Sequence, residues 1–211
     1  MTTACILKLI QEEKIDLNEK VSFYWPEYGC NEKEDTKVCD FLSHRAGMHG
    51  FKGGMPKGSW QNWQNFVSHL EAQTPYSALG SSQGYHALTY GWLVGELFRR
   101  VDGRSVGEYF HEEIAIPHDI DFHIGLQEKD FDRVAEIFMP GAITSGDLIE
   151  NDDSNSEVQK AILNPSIDPS FALEDDWRKA EIPAAGGHGN GKSIACLLYT
   201  SPSPRDRQKS R

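Results

Sequence analysis

Between Gly84 and Gly103 the chain places Leu88, Trp92, Leu93, Leu97, Phe98 and Val101 at helical spacing, with a glycine to stop them. A helix with that much apolar surface must be packed on several sides, so it fixes the rest of the fold as layers around it. The spacing predicts a helix over 85–102. A Gly/Ser-rich loop leads into it, and Tyr85 and His86 stand at its mouth. A polar aromatic pair at a loop-to-helix junction serves either as a cleft-lining base or as a satisfied structural pair, and the residues alone leave both open.

The remaining pattern is helical too. Thr2 or Thr3 can cap a helix to about Lys14 with Ile6, Leu7, Leu9 and Ile10 as its apolar face. Residues 15–28 read as a loop anchored by Leu17, Val21, Phe23, Tyr24 and Trp25 and broken at Pro26. Asp35 or Thr36 caps a short helix with Val38, Phe41 and Leu42 inward, and Gly47 is the expected stop. Trp60, Trp63, Phe66, Val67 and Leu70 give another helix, and Ser105 with Glu108 forms a capping box for one running to about Ile114. Residues 122–126 and 133–139 suit short ordered pieces, 151–157 a polar connection, and 157–163 a weak helix. Residues 180–191 are small and Gly-rich, and Lys192 opens a further helical stretch. The expected balance is about six helices and almost no strand.

Composition bounds the partners. The 211 residues suffice for one domain with a real core. A net charge of -11 argues against nucleic acid and anionic lipid, and no apolar run is long enough for a membrane span. Residues 196–211 carry four basic side chains against Asp206, so residues 1–195 alone hold -14. Cys5, Cys30, Cys39 and Cys196 show neither paired nor zinc spacing. They read as reduced thiols of an intracellular protein, cytoplasmic or mitochondrial. No cofactor or metal is expected: Asp119, Asp121 and His123, with His118 beside them, are ligands by type but read as a solvated turn. The string from Cys196 through Ser201-Pro202-Ser203-Pro204 to Arg211 resembles a translated sequencing adapter, so the chain divides into a domain over 1–195 and a non-native or disordered tail over 196–211.

Several separated motifs carry a family resemblance across 1–195. Residues 6–17, ending Glu13-Lys14-Ile15-Asp16-Leu17, are similar to an active-site helix running into a "gly-lys-leu-asp-leu" loop, and 21–27 to the loop after it. Phe41-Leu42-Ser43-His44-Arg45-Ala46-Gly47-Met48 is nearly "leu-leu-ser-his-arg-ala-gly-leu". Gly84-Tyr85-His86-Ala87 falls at a Tyr-x-Asn position, and 181–189 resembles an "ile-pro-ala-ala-asn-gly" segment. Together these resemble the serine β-lactamase-related family, which includes class C β-lactamases and β-lactamase-like esterases. The resemblance implies an α/β fold of the β-lactamase/transpeptidase type. In this chain it implies mostly the helical region, without the terminal strands of the antiparallel sheet.

The resemblance also implies acyl transfer. The family's nucleophile is the serine of Ser-x-x-Lys at the start of the first helix, and the lysine and a tyrosine phenol take its proton. Tyr85 is the position that would carry that phenol, with His86 and His188 as expected substrate contacts; His188 also suits a plain turn residue. No Ser-x-x-Lys occurs anywhere in the chain. Cys5 and Lys8 copy its spacing but too far along, and read as core. His44 reads as a packing residue and Arg45 as a loop anchor. The His-Ala pair after Tyr85 matches the esterase-like branch. The expectation is therefore a fragment, inactive by itself, of a serine hydrolase acting on a small ester or amide. The alternative is a non-catalytic scaffold or self-assembling module with the same fold.

Overall fold

The computed structural model describes residues 1–52, 54, 56, 58–137 and 169–200. The expected polar connection at 151–157 and weak helix at 157–163 lie outside the described residues, as do Phe138 and Met139 of the piece expected at 133–139.

Eight α-helical segments are described: α1 Thr2–Gln11, α2 Val21–Tyr24, α3 Val38–Leu42, α4 Trp63–Ala72, α5 Thr89–Asp102, α6 Val106–Phe110, α7 Asp175–Lys179 and α8 Gly191–Thr200. Two strands, β1 Phe122–Ile124 and β2 Gly187–Gly189, pair antiparallel with His123 opposite His188. The helices α1, α2, α3, α4 and α6 all touch α5.

α5 is the axis because both sides of its first turns are apolar. Trp92, Leu93, Val94, Leu97 and Phe98 are all buried. Trp92 stacks on Phe66 of α4 with ring centroids 4.3 Å apart, and Trp60 stacks on Phe66 from just outside α4. Gly91 lets the chain at Pro183–Ala184 lie against this helix: a Cβ there would come 2.8 Å from the Ala184 backbone nitrogen. Gly103 ends the helix in the left-handed conformation, its N–H donating to the Arg99 carbonyl.

α5 begins at Thr89, four residues later than the apolar spacing predicts. The Thr89 hydroxyl donates to the Met48 carbonyl, and His86 is held by groups outside the helix, so 84–88 stay out of it. α1 ends at Gln11, short of Lys14, and Leu7 is exposed while Cys5, Ile6 and Leu9 face in. Neither threonine caps α1. Thr2 donates to the Pro183 carbonyl and Thr3 shares a hydrogen bond with the Tyr90 hydroxyl. The stretch expected as a loop at 15–28 holds α2 and a 3-10 turn at Pro26–Tyr28, and its Phe23 is exposed.

α3 is capped by its own Asp40, whose carboxylate accepts from the Lys37 N–H; Asp35 pairs with Lys20 instead. Its chain reverses through His44, at φ +59°, and Gly47 makes a second turn further on. α4 starts at Trp63, where the Asn62 side chain accepts from Asn65 N–H, so Trp60 precedes it. The capping box of α6 forms as expected: Glu108 N–H donates to the Ser105 hydroxyl and Ser105 N–H to the Glu108 carboxylate. A wider turn over His111–Ala115 extends it. α8 runs to Thr200, past the 195/196 boundary, with Leu197 partly packed on the core and Tyr199 exposed.

Because the aromatic stack around Trp92 has little room to collapse, Trp92→Ala is expected to cost about 3–5 kcal/mol, read as a lowered urea midpoint at constant slope. Phe23→Ala, on the exposed side of α2, should shift stability by no more than about 0.5 kcal/mol.

Candidate active site

Tyr85 opens onto a cleft of about 270 Å³ whose wall includes Met1, Thr2 and Thr3 of the α1 start, His44, Tyr90, Pro183 and Ala184. Four stretches far apart in sequence meet here: the first turn of α1, the turn after α3, the approach to α5 with its first turn, and Pro183–Ala184. Tyr85 is 66% exposed, its ring 4.9 Å from that of His44. A second phenol, Tyr90, stands 5.1 Å from the same imidazole, ring to ring, and its hydroxyl lies 3.0 Å from the Thr3 hydroxyl. Burial raises the Tyr90 pKa, so it stays protonated.

His86 is buried, and both of its ring nitrogens are committed. Nε2 accepts from Met48 N–H at 3.0 Å, so the proton is on Nδ1, which donates to the Gly84 carbonyl at 2.7 Å. Burial pushes its pKa down to about 3, against the Gly84 hydrogen bond, with His44 and His49 adding to the fall. His86 lines the cleft, but both ring nitrogens already have protein partners, so the imidazole ties 84–86 to Met48 and offers a ligand only its ring surface. Ala87 lines the cleft with no side-chain amide.

His44 is half-buried and its Nδ1 accepts from His86 N–H at 3.2 Å. The ring proton therefore sits on Nε2, and burial lowers the pKa, which keeps the ring neutral. Arg45 does anchor the neighbouring loop, donating to the Gly80 carbonyl at 3.4 Å, while Gly80 N–H donates to the Arg45 carbonyl. Cys5 is fully buried in the core and its pKa is pushed up to about 12 by burial, so the thiol does not ionise; Lys8 faces Glu113 and Tyr109 instead.

His188 is elsewhere. It lines a separate cavity of about 600 Å³ with Asp121, His123, Arg133, Trp177 and Asn190, and its Nδ1 meets the Gly186 carbonyl at 3.1 Å. The turn at 182–186, in which Ala185 and Gly186 N–H both donate to the Ile182 carbonyl, divides the two spaces. Ala184 faces the Tyr85 cleft and Ala185 the larger cavity. The structure thus places His188 and Tyr85 on different cavities. In the larger cavity Asp121 is occupied by Arg133, His123 and Asn190. Among the described residues no three His, Cys, Asp or Glu side chains are grouped to hold a metal, and no helix is long and apolar enough to cross a membrane.

Sequence reasoning missed Tyr90 and Pro183 as cleft residues. Tyr90 was masked by its place among the apolar positions of a helix, although two tyrosines five residues apart at a helix start were a usable signal. Pro183 is brought in by Gly91, a contact that helical spacing does not encode.

The burial of neutral His86 carries a pH signature. Its folded pKa lies below the ordinary imidazole value, so the unfolded chain binds the proton first as pH falls. The stabilisation is complete above about pH 6.5 and is lost progressively down to about pH 3. In His86→Gln the dependence of unfolding free energy on pH across that window should flatten by up to about one proton, measured by denaturant titrations at successive pH values.

Comparison with known proteins agrees with this architecture. A family model described as Beta-lactamase matches residues 1–210. Esterase/beta-lactamase LipL of Mycobacterium tuberculosis is 33% identical, over 92% of this chain and 47% of its own. A family VIII carboxylesterase crystal structure superposes with a TM-score of 0.81 at 33% identity, covering 93% of this chain and 51% of that one. A penicillin-binding protein homologue from Caulobacter crescentus gives 0.76 at 32% identity, covering 93% and 51%. The chain spans about half the length of these relatives. Its fold is accordingly of the β-lactamase/transpeptidase type, represented here by helices and a two-stranded sheet. The chain belongs to the beta-lactamase family.

Proposed function

We propose that this chain is part of a serine hydrolase that cleaves a small ester or amide through an acyl-enzyme. In this reading Tyr85 belongs to the base system that takes the proton of a serine absent from residues 1–211. The observation that supports it most is that Tyr85 and Met1–Thr3 line one cleft, because the family resemblance sets the nucleophile at the start of that same helix. A serine hydroxyl attacks poorly until a neighbouring base accepts its proton, and a solvent-facing phenol at the mouth of the cleft is in reach of such a group. The preference for esters is supported by Ala87 in place of an amide side chain and by relatives described as esterase/beta-lactamase and carboxylesterase.

The steps this chain can contribute are limited. It supplies the phenol, the neutral imidazoles behind it and the Pro183–Ala184 wall. It does not supply the serine or the lysine, and catalytic groups of this kind act as a unit. Residues 1–211 alone should therefore show no turnover of p-nitrophenyl esters above buffer.

The genomic locus decides the remainder. Coding sequence continuous with Met1 on its upstream side should encode Ser-x-x-Lys; a locus without it removes the hydrolase reading and leaves a scaffold with this fold. The downstream sequence likewise decides whether residues from Cys196 onward are native. In the completed protein, Tyr85→Phe should lower kcat for p-nitrophenyl butyrate by about 10²–10⁴-fold, the range for losing a positioned acid–base group. Equal rates for the two proteins would take Tyr85 out of the chemistry.

A further inference from the structure

Both peptide N–H groups that flank Tyr85 end on one residue. Gly84 N–H donates to the His44 carbonyl at 3.2 Å, and His86 N–H donates to His44 Nδ1 at 3.2 Å. The His44 ring is also the aromatic neighbour of the Tyr85 ring, at 4.9 Å. Tyr85 is otherwise exposed, so little else in its surroundings restrains the phenol. His44 itself holds a left-handed backbone, φ +59°, which is uncommon for a residue with a side chain. Tyr90 and His86 pack against the ring at 5.1 and 5.3 Å, and His44 N–H donates to the Phe41 carbonyl.

We infer that His44 is the positioning residue for Tyr85, acting through a backbone clamp on both sides of it and a ring contact with it, and not as an acid or base. The inference rests on the proposed place of Tyr85 in the base system. The geometry separates the two imidazoles by task. His86 ties the loop to Met48 from below, and His44 fixes the tyrosine that the loop carries. A clamp of this kind matters to rate because a catalytic group displaced by about 1 Å can lose on the order of a hundredfold. It matters little to binding, since His44 itself need not contact substrate.

The test is a double-mutant cycle in the protein completed with its upstream sequence, using p-nitrophenyl butyrate. His44→Asn keeps a residue that tolerates positive φ, the carbonyl for Gly84 N–H and a side-chain acceptor for His86 N–H, so it isolates the ring contact with Tyr85. It is expected to lower kcat roughly ten- to a hundredfold while KM stays within about threefold and the unfolding temperature is unchanged. In the Tyr85→Phe background the same change should have no further effect, because the residue it positions is already disabled. An equal loss in both backgrounds, or a loss that follows a lowered unfolding temperature, overturns the inference. If His44→Asn does not fold, His44→Phe, which retains a ring and loses the acceptor, is carried through the same cycle with the same criterion. Should Tyr85→Phe itself have the wild-type rate, the base assignment has failed, and that outcome is recognisable before any His44 variant is measured.

Discussion

The burial of α5 governs this molecule. A helix whose Trp92, Leu93 and Val94 are all shielded from water has to be enclosed, and five other helices supply the enclosure. Enclosure also brings polar groups inside. Glu96 of α5 is almost fully buried, and its carboxylate accepts from the Trp63 indole at 2.7 Å and from Arg100 at 2.7 Å. A buried carboxylate without those donors would be expensive to desolvate, so α4 and α5 are matched in register by chemistry as well as by ring packing. The aromatic stack and this paired acid fix α4 against α5, and α5 in turn fixes the point at which the chain enters it.

That entry point is where the candidate site lies. A tightly packed helix leaves its approaching strand of backbone little freedom, yet 84–88 must turn away from helical geometry to present Tyr85. Histidine makes this possible. Its two nitrogens allow one side chain to accept from one peptide and donate to another, and burial keeps the ring neutral so that both bonds persist. The result is a rigid inner layer of imidazole, with His49 edge-on to His86 and stacked on Tyr76, and an exposed phenol outside it. Rigidity behind and exposure in front are what a group that must meet a reacting atom requires.

Much of this was legible in the residues. The apolar spacing of α5, the capping box of α6 and the strand near Phe122 follow from local patterns, and the structure reproduces each within a few residues. Several separated motifs, the stretch around Ser43-His44-Arg45 among them, together carry the family resemblance. What was not legible depends on contacts between distant segments. Periodicity alone carries the α5 helix back to residue 85, because nothing local says that the Met48 peptide will hold His86 out of it. Thr2 and Thr3 look like caps until Pro183 and Tyr90 are seen to claim their hydroxyls. His188 is open by sequence to two readings, a substrate contact or a plain turn residue, and the course of the 182–186 turn places it on a cavity separate from that of Tyr85.

Those two threonine bonds have a structural consequence for the cleft. Thr2 ties the first turn of α1 to the Pro183 carbonyl, and Thr3 ties it to the Tyr90 hydroxyl, both residues of the cleft lining. A helix end held at one point could swing; held at two, on neighbouring residues that face different elements, it is fixed in both tilt and rotation. The Pro183 wall is itself held because Gly91 admits it closely to α5. Both threonine tethers therefore lead back to the same central helix, one through Tyr90 directly and one through the 183–184 backbone. The orientation of α1 relative to Tyr85 is thus an internal property of this half-length chain. Any group carried at the start of α1 would inherit its geometry from α5.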